Sequence, residues 1–215
     1  MEITMTGFDE HTSNFLVKHI LGRYGIEMGV LYTFDPEGRN RYPSPKWIDR
    51  FVREYGRNAA LHICGGRARK QLLAGELKHW TDRVGRVQVN GHVTEEELIQ
   101  ISRMVRTVIT QHDPMTMKNV KLFSVPLGNH EILVDGSGGE GKLPLSWVRP
   151  VTWKKVGFAG GLGPDTLTTE LPKIQMTANQ NYFWIDMEGK LRNDDDRFDV
   201  EKAVDALSVI AFPKL

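Results

Sequence analysis

The chain has 215 residues, with 28 Lys and Arg against 27 Asp and Glu, a formal charge of +1 at pH 7, 40% hydrophobic and 26% charged residues. Those values suit a globular domain with a sizeable core, at a length where single α/β barrels fall. The near-neutral balance gives no reason to expect a nucleic-acid or membrane surface, the single cysteine excludes an internal disulfide, and no run reaches the length of a membrane span. The opening Met1-Glu-Ile-Thr-Met-Thr-Gly7 has neither a basic n-region nor an apolar h-region, so no signal peptide is expected and the compartment is expected to be reducing and cytoplasmic. One domain spanning residues 1–215 is the expectation.

In chain order, a short apolar strand is repeatedly followed by an amphipathic helix. Ile3–Thr6 is the first strand, and Thr12 or Ser13 caps a helix to Arg23 with Phe15, Leu16, Ile20 and Leu21 at helical spacing. Glu27–Tyr32 is the second strand. Ser44 and Pro45 open the next helix and Gly56 closes it, with Trp47, Ile48, Phe51 and Val52 facing inward. Ala59–Cys64 is a third strand, closed by Gly65-Gly66, with a helix around Arg69–His79. Arg86–Asn90 is a fourth, and the capping box Thr94-Glu-Glu-Glu97 starts a helix expected to run to about Gln111. Val120–Val125 reads as the fifth strand and Ile132–Val134 as the sixth. Lys155–Ala159 reads as the seventh, before Gly160-Gly-Leu-Gly-Pro164 and a helix. Tyr182–Asp186 is the eighth, followed by a helix across Asp199–Ala211.

Eight strands alternating with helices predict a parallel sheet closed as a (β/α)8 TIM barrel. One joint is tight: only Pro126–His130 separate the fifth and sixth strands as read, whereas a parallel crossover needs a dozen or more residues. The expectation is a shortened crossover there, or a misplaced strand.

Functional residues of such a barrel sit where strands end. The stretch Glu131-Ile-Leu-Val-Asp-Gly-Ser-Gly-Gly-Glu-Gly-Lys142 is the strongest candidate: a buried strand stops at Asp135 and opens into four glycines, among them Gly139. The other strand ends gather Thr6, Asp9 and His11; Tyr32 and the loop through Arg41; Asn90 and His92; Gly160 and Gly161; and Asp186, Glu188 and Gly189. Backbone N–H groups at Gly160-Gly161, ahead of a helix, suit an anion. Cys64 reads as a small buried hydrophobe, and Asp194-Asp-Asp196 as a solvated turn.

The motifs, in order and over nearly the whole chain, resemble phosphoribosylanthranilate isomerase, the barrel enzyme of tryptophan biosynthesis. Gly29-Val-Leu-Tyr32 with Arg41-Tyr-Pro-Ser-Pro45 resembles that family's second strand and loop, and Val87-Gln-Val-Asn-Gly91 its "VQLHG". Ile132-Leu-Val-Asp-Gly136 with Gly139-Glu-Gly-Lys142 resembles "LLLD…GGTGK", and Leu145-Ser-Trp147 the "FDW" that follows. Ala159-Gly-Gly-Leu-Gly-Pro164 resembles "AGGLNP", and Ile185-Asp-Met-Glu-Gly189 "VDVSSG".

The resemblance implies an Amadori rearrangement of a small phosphorylated sugar without a cofactor. A base takes the proton from the sugar carbon bearing the hydroxyl while an acid protonates the ring oxygen. It implies Asp135 as the acid, Arg41 on a substrate carboxylate, and the phosphate on Gly160, Gly161 and Gly189. The family's base is a cysteine in "KICG", and here Thr4-Met-Thr-Gly7 puts Thr6 in its place, so Asp9 and His11 become the candidate bases. Glu188 stands where the family has a small hydroxyl residue, a repulsive choice beside phosphate unless it points away or pairs with Lys190 or Arg192. Two other readings compete. The acids Asp135, Asp186, Glu188 and Asp9 could hold a divalent metal for lyase or aldolase chemistry, or the barrel could bind a phosphoanion without catalysis.

Overall fold

In the computed structural model, residues 1–113, 120–138 and 140–211 are described, and they form a closed barrel of eight parallel strands in sequence order. The strands are β1 Glu2–Thr6, β2 Glu27–Thr33, β3 Ala59–Cys64, β4 Arg86–Val89, β5 Val108–His112, β6 His130–Asp135, β7 Val156–Ala159 and β8 Phe183–Met187. Around them lie α1 Asn14–Tyr24, α2 Pro45–Tyr55, α3 Gly66–Leu73, α4 Lys78–Thr81, α5 Glu95–Ser102, α6 Pro164–Ala178 and α7 Val200–Ala211. β1 pairs with β8, so no sheet edge is left open. None of the helices is long and apolar enough to cross a membrane among the described residues.

The strands are apolar on both faces because both are covered. On β6, Ile132 and Val134 join the outer core against the helices, while Leu133 points inward to Ile109 and Trp184. The indole of Trp184 fills the barrel only because β7 carries Gly157 beside it: a Cβ there would lie 2.1 Å from the ring. Beneath the indole, Arg86 holds its guanidinium carbon 4.6 Å from the ring centroid. It donates from Nε to Glu27 at 2.8 Å, from Nη1 to Glu131 at 2.8 Å and from Nη2 to Thr4 Oγ1 at 2.8 Å. Lys155 adds an ion pair to Glu131 at 3.8 Å and another to Glu2. Burial by itself would lower the pKa of Arg86, but Glu27 and Glu131 more than offset it and the net shift is upward. The N-terminal end of the barrel is therefore closed by charges that satisfy one another.

The fifth strand is not Val120–Val125. Val108-Ile-Thr-Gln-His112 takes that place, pairing with β4 and β6, and Val120–Ser124 is a 3₁₀ turn. Val, Ile and Thr are stiff at χ1 and favour the pleated strand, so the α5 pattern ends at Ser102 instead of reaching Gln111. The crossover to β6 then runs over residues 113–129, long enough for a parallel return. The residues described in this crossover and in the next, over 136–155, include no α-helix. Lys154 instead binds this wall together, donating to the carbonyls of Val125 at 2.8 Å and Leu127 at 3.1 Å, while Trp147 Nε1 donates to Glu170 at 2.8 Å. The helix expected over Arg69–His79 divides into α3 and α4 around Gly75, whose φ of +78° breaks the helical path.

Replacing Arg86 by Leu strands Glu27 without its cation in a low-dielectric interior and leaves Glu131 with Lys155 at 3.8 Å. The expected cost is about 3–5 kcal/mol, read as a fall in the urea midpoint, and adding Glu27→Gln and Glu131→Gln should recover part of it.

Candidate functional site

A cavity of about 950 Å³ opens at the C-terminal ends of the strands, where a barrel gathers residues from separate parts of the chain. Its acids are placed by register. Asp135 on β6 and Asp186 on β8 both align with Ala159 on β7, whose methyl is too small to separate them. Two strand spacings put the backbones carrying the two carboxyls about 10 Å apart. Both acids line the cavity.

Asp135 also organises the loop that follows it. Its Oδ1 accepts from the Ser137 N–H at 3.0 Å and the Ser137 hydroxyl at 2.7 Å, and its Oδ2 accepts from Gln111 Nε2 at 2.5 Å. Ser137 Oγ in turn accepts from the Gly141 N–H at 3.0 Å, so the glycine loop is folded around the carboxylate. Gly139 lies outside the described residues. The sequence hides Gln111 because Val108–His112 continues the apolar spacing of the preceding helix.

Asp186 has the opposite surroundings. Among the described residues the donor that reaches it is the Thr6 hydroxyl at 2.7 Å, and burial pushes its pKa up to about 7 against that hydrogen bond, with Glu188 adding to the rise. Thr6 is fully buried and is not among the cavity-lining residues. It fits because β2 has Gly29 opposite: a Cβ there would lie 2.3 Å from Thr6 Oγ1 and 3.0 Å from His62 Nε2. His62 is buried on β3 between Leu31 and Gln88 in register, and burial lowers its pKa to about 3, with Arg86 contributing.

Asp9 and His11 are not brought to these acids. Asp9 is buried; its Oδ1 accepts from the His11 N–H at 2.9 Å and its Oδ2 from the Phe198 N–H at 2.9 Å, which ties the first loop to the last. His11 is exposed, and neither residue lines the cavity. The Asp9 carboxylate works as a cap for backbone donors.

Arg41 lines the cavity but its fork is engaged. Nε and Nη2 grip both oxygens of Asp196 at 2.8 and 2.7 Å, and Nη1 lies 3.3 Å from Glu188 Oε1. These hydrogen bonds, the one to Asp196 foremost, raise its pKa. Arg192, buried behind, also lies 3.3 Å from Glu188. Asp196, read as part of a solvated turn, is thus an ion-pair partner, and Glu188 is neutralised by two arginines, one of them the partner expected in the sequence and neither of them Lys190. Gly160, Gly161 and Gly189 line the same end of the cavity. Lys142 and Leu143 back Gly161 closely, since a Cβ there would lie 2.6 Å from the Leu143 nitrogen.

Across the cavity, Gln88 donates to Asn90 Oδ1 at 2.9 Å, and Asn90 Nδ2 donates to the Cys64 sulfur at 3.4 Å. Burial pushes the Cys64 thiol up to about 12, with Glu188 adding, so this side chain is an inert thiol despite its place on the wall. Among the described residues no three His, Cys, Asp or Glu side chains are grouped to hold a metal ion.

Solved structures supply the comparison. The chain aligns with a crystal structure of phosphoribosyl anthranilate isomerase from Thermus thermophilus over 98% of both chains, at 16% identity and a TM-score of 0.67. Its barrel is similar to that of phosphoribosylanthranilate isomerases. Monomers generated from the dimeric phosphoribosylanthranilate isomerase of Thermotoga maritima match over 97% of both chains, at 14% identity and a TM-score of 0.70. A further match, at 15% identity and a TM-score of 0.66 over 97% of both chains, is an isomerase in complex with reduced 1-(o-carboxyphenylamino)-1-deoxyribulose 5-phosphate. No family model matches the chain, and no curated protein matches it.

The raised pKa of Asp186 fixes a sign. Between an unfolded pKa of about 3.9 and the folded value near 7, the folded chain holds the extra proton, so this residue's contribution to stability is lost as pH rises through 7. Asp186→Asn keeps an acceptor for Thr6 and has no charge to bury. Its melting temperature should match that of the parent near pH 4 and exceed it by several degrees at pH 8, as measured by calorimetry across that range.

Proposed function

We propose that the chain is a phosphosugar isomerase of the aldose–ketose, Amadori type, with Asp135 and Asp186 dividing the proton transfers. The observation that carries this reading is the pair of carboxyls flanking Ala159 at the mouth of one cavity, in environments that differ sharply. The rearrangement places a proton on the ring oxygen as its bond to C1 breaks and the amine nitrogen forms a C1=N iminium. It then removes the proton from C2, the hydroxyl-bearing carbon beside it, to give an enol that tautomerises to the ketone. Asp186 keeps its proton up to about pH 7 and is the donor in this scheme. Asp135 is the acceptor. Among the described residues its carboxylate accepts from Gln111 Nε2 and from the N–H and hydroxyl of Ser137, which leaves room for one more bond.

These roles reverse the expectation that Asp135 supplies the acid. They also answer the loss of the family cysteine: Thr6 positions Asp186 through its hydroxyl, and no base is needed at that point. The phosphate is assigned to Gly160, Gly161 and Gly189, where Arg41 and Arg192 remove the repulsion that Glu188 would otherwise exert. The similarity to isomerase barrels supports the ligand class, including the one solved with a carboxyphenylamino deoxyribulose phosphate. The divalent-metal reading draws no comparable support, since Glu188 and Asp9 are turned to arginines and backbone donors.

The test is turnover of phosphoribosylanthranilate, followed by the loss of its fluorescence. Asp135→Asn and Asp186→Asn should each lower kcat at least about 100-fold, with a smaller change for Thr6→Val. Thermal stabilisation of the parent by ribose 5-phosphate without turnover would leave a binding protein. Neither turnover nor stabilisation would end the phosphosugar reading.

A further inference from the structure

Gln111 enters the cavity from β5 with only part of its amide in use. β5 and β6 run parallel with Gln111 opposite Leu133, and side chains alternate across a strand. Gln111 and Asp135 therefore share the inner face, one step above the layer of Ile109, Leu133 and Trp184. The amide stands beside Asp135 on the side away from β7, and it lines the cavity.

Hydrogen bonding fixes which way that amide is turned. Three donors converge on the Asp135 carboxylate, and a carboxylate only accepts, so the end of Gln111 that meets it at 2.5 Å is the nitrogen. This contact uses one of its two N–H groups. Among the described residues no hydrogen bond engages the other N–H or Oε1, and Oε1 is not one of the buried orphan atoms, so it faces the open cavity. The other side-chain amides of the wall, Gln88 and Asn90, are tied to each other and to the Cys64 sulfur. Gln111 alone among the three holds both a donor and an acceptor ready beside an acid.

The chemistry at that acid calls for such a pair. In the proposed scheme Asp135 takes the proton from C2, and the hydroxyl on C2 ends as the ketone oxygen. As a hydroxyl this oxygen donates, and as a carbonyl it only accepts. The free Oε1 suits the first state and the free N–H suits the second, and the contact with Asp135 keeps both next to the carbon that the base attacks.

We propose that Gln111 is a specificity-determining residue that binds the C2 hydroxyl of the ligand through the unused half of its amide. The inference rests on the phosphosugar reading and narrows its ligand class to sugar phosphates that carry a hydroxyl at C2. A 2-deoxy sugar phosphate leaves Oε1 and the N–H without a partner and is the analogue that this position rejects.

Isothermal titration calorimetry with ribose 5-phosphate and 2-deoxyribose 5-phosphate tests this as a cycle against Gln111→Met. The parent should bind ribose 5-phosphate about tenfold tighter than the deoxy sugar. Gln111→Met should bind the two within about twofold of each other, with the loss falling on ribose 5-phosphate. Gln111 is only half-buried and Met has a similar length, so the variant should fold. Ser137→Ala removes a different donor from Asp135 and should keep the tenfold preference, which separates reading the hydroxyl from holding the carboxylate. Equal binding of both sugars by the parent, or a preference that survives Gln111→Met, would overturn the role of Gln111 and leave the phosphosugar reading standing. Loss of the preference in Ser137→Ala as well would also overturn it, by assigning the selection to Asp135. A parent that binds neither sugar would end both readings.

Discussion

The structure depends on how the inside of the barrel is filled. Eight strands leave a lumen that side chains must occupy completely, and here a single indole, Trp184, takes most of the central layer with Ile109 and Leu133. That choice dictates its neighbours. β7 must carry glycine at position 157, and the cation of Arg86 sits under the ring where it can meet Glu27 and Glu131. A polar plug below and an apolar layer above it leave the upper layer for chemistry. There the small Ala159 opens the space between two carboxyls, as Gly157 opens it for the indole one layer down.

The acids at the mouth illustrate how the same side chain is given different properties by its neighbours. Three donors converge on Asp135, supplied by β5 and by the loop that it caps itself. Asp186 meets one hydroxyl and otherwise buried surroundings, with Glu188 adding negative charge nearby. Most of that difference comes from elements distant in sequence, Gln111 and Thr6 among them, so no local motif encodes it.

This explains what was legible in the sequence. Seven of the eight strands were read close to where they lie, because apolar runs bounded by glycine, proline and capping residues are local signals. β5 was lost because Val108–His112 continues the apolar spacing of α5, and Val120–Val125 offered a rival strand of similar composition. The strand ends were legible as a set, since a barrel places all of them at one mouth. Which members act together was not: Asp9 is spent on the Phe198 N–H and Arg41 on Asp196, contacts that span nearly the whole chain. The glycine loop around Asp135 was visible as a loop, and Ser137 gained its importance only from the fold.

The wall over β5 and β6 has a consequence of its own. Elsewhere the barrel is clad by helices whose backbone bonds are internal, but here the covering chain is held at points such as Lys154 on two carbonyls and Trp147 on Glu170. Leu122, Phe123, Val125 and Trp147 also bury their side chains in the core, so this covering opens by giving up that apolar contact, yet it can do so without disturbing the hydrogen-bonded strands beneath, and amide protons of β6 exchange through a local opening as well as through global unfolding. Within the segment 143–153 Trp147 is the fixed point, and the stretches on either side, with Leu145, Val151 and Trp153 turned to solvent, are places where length can drift over generations while the barrel and its mouth stay in place.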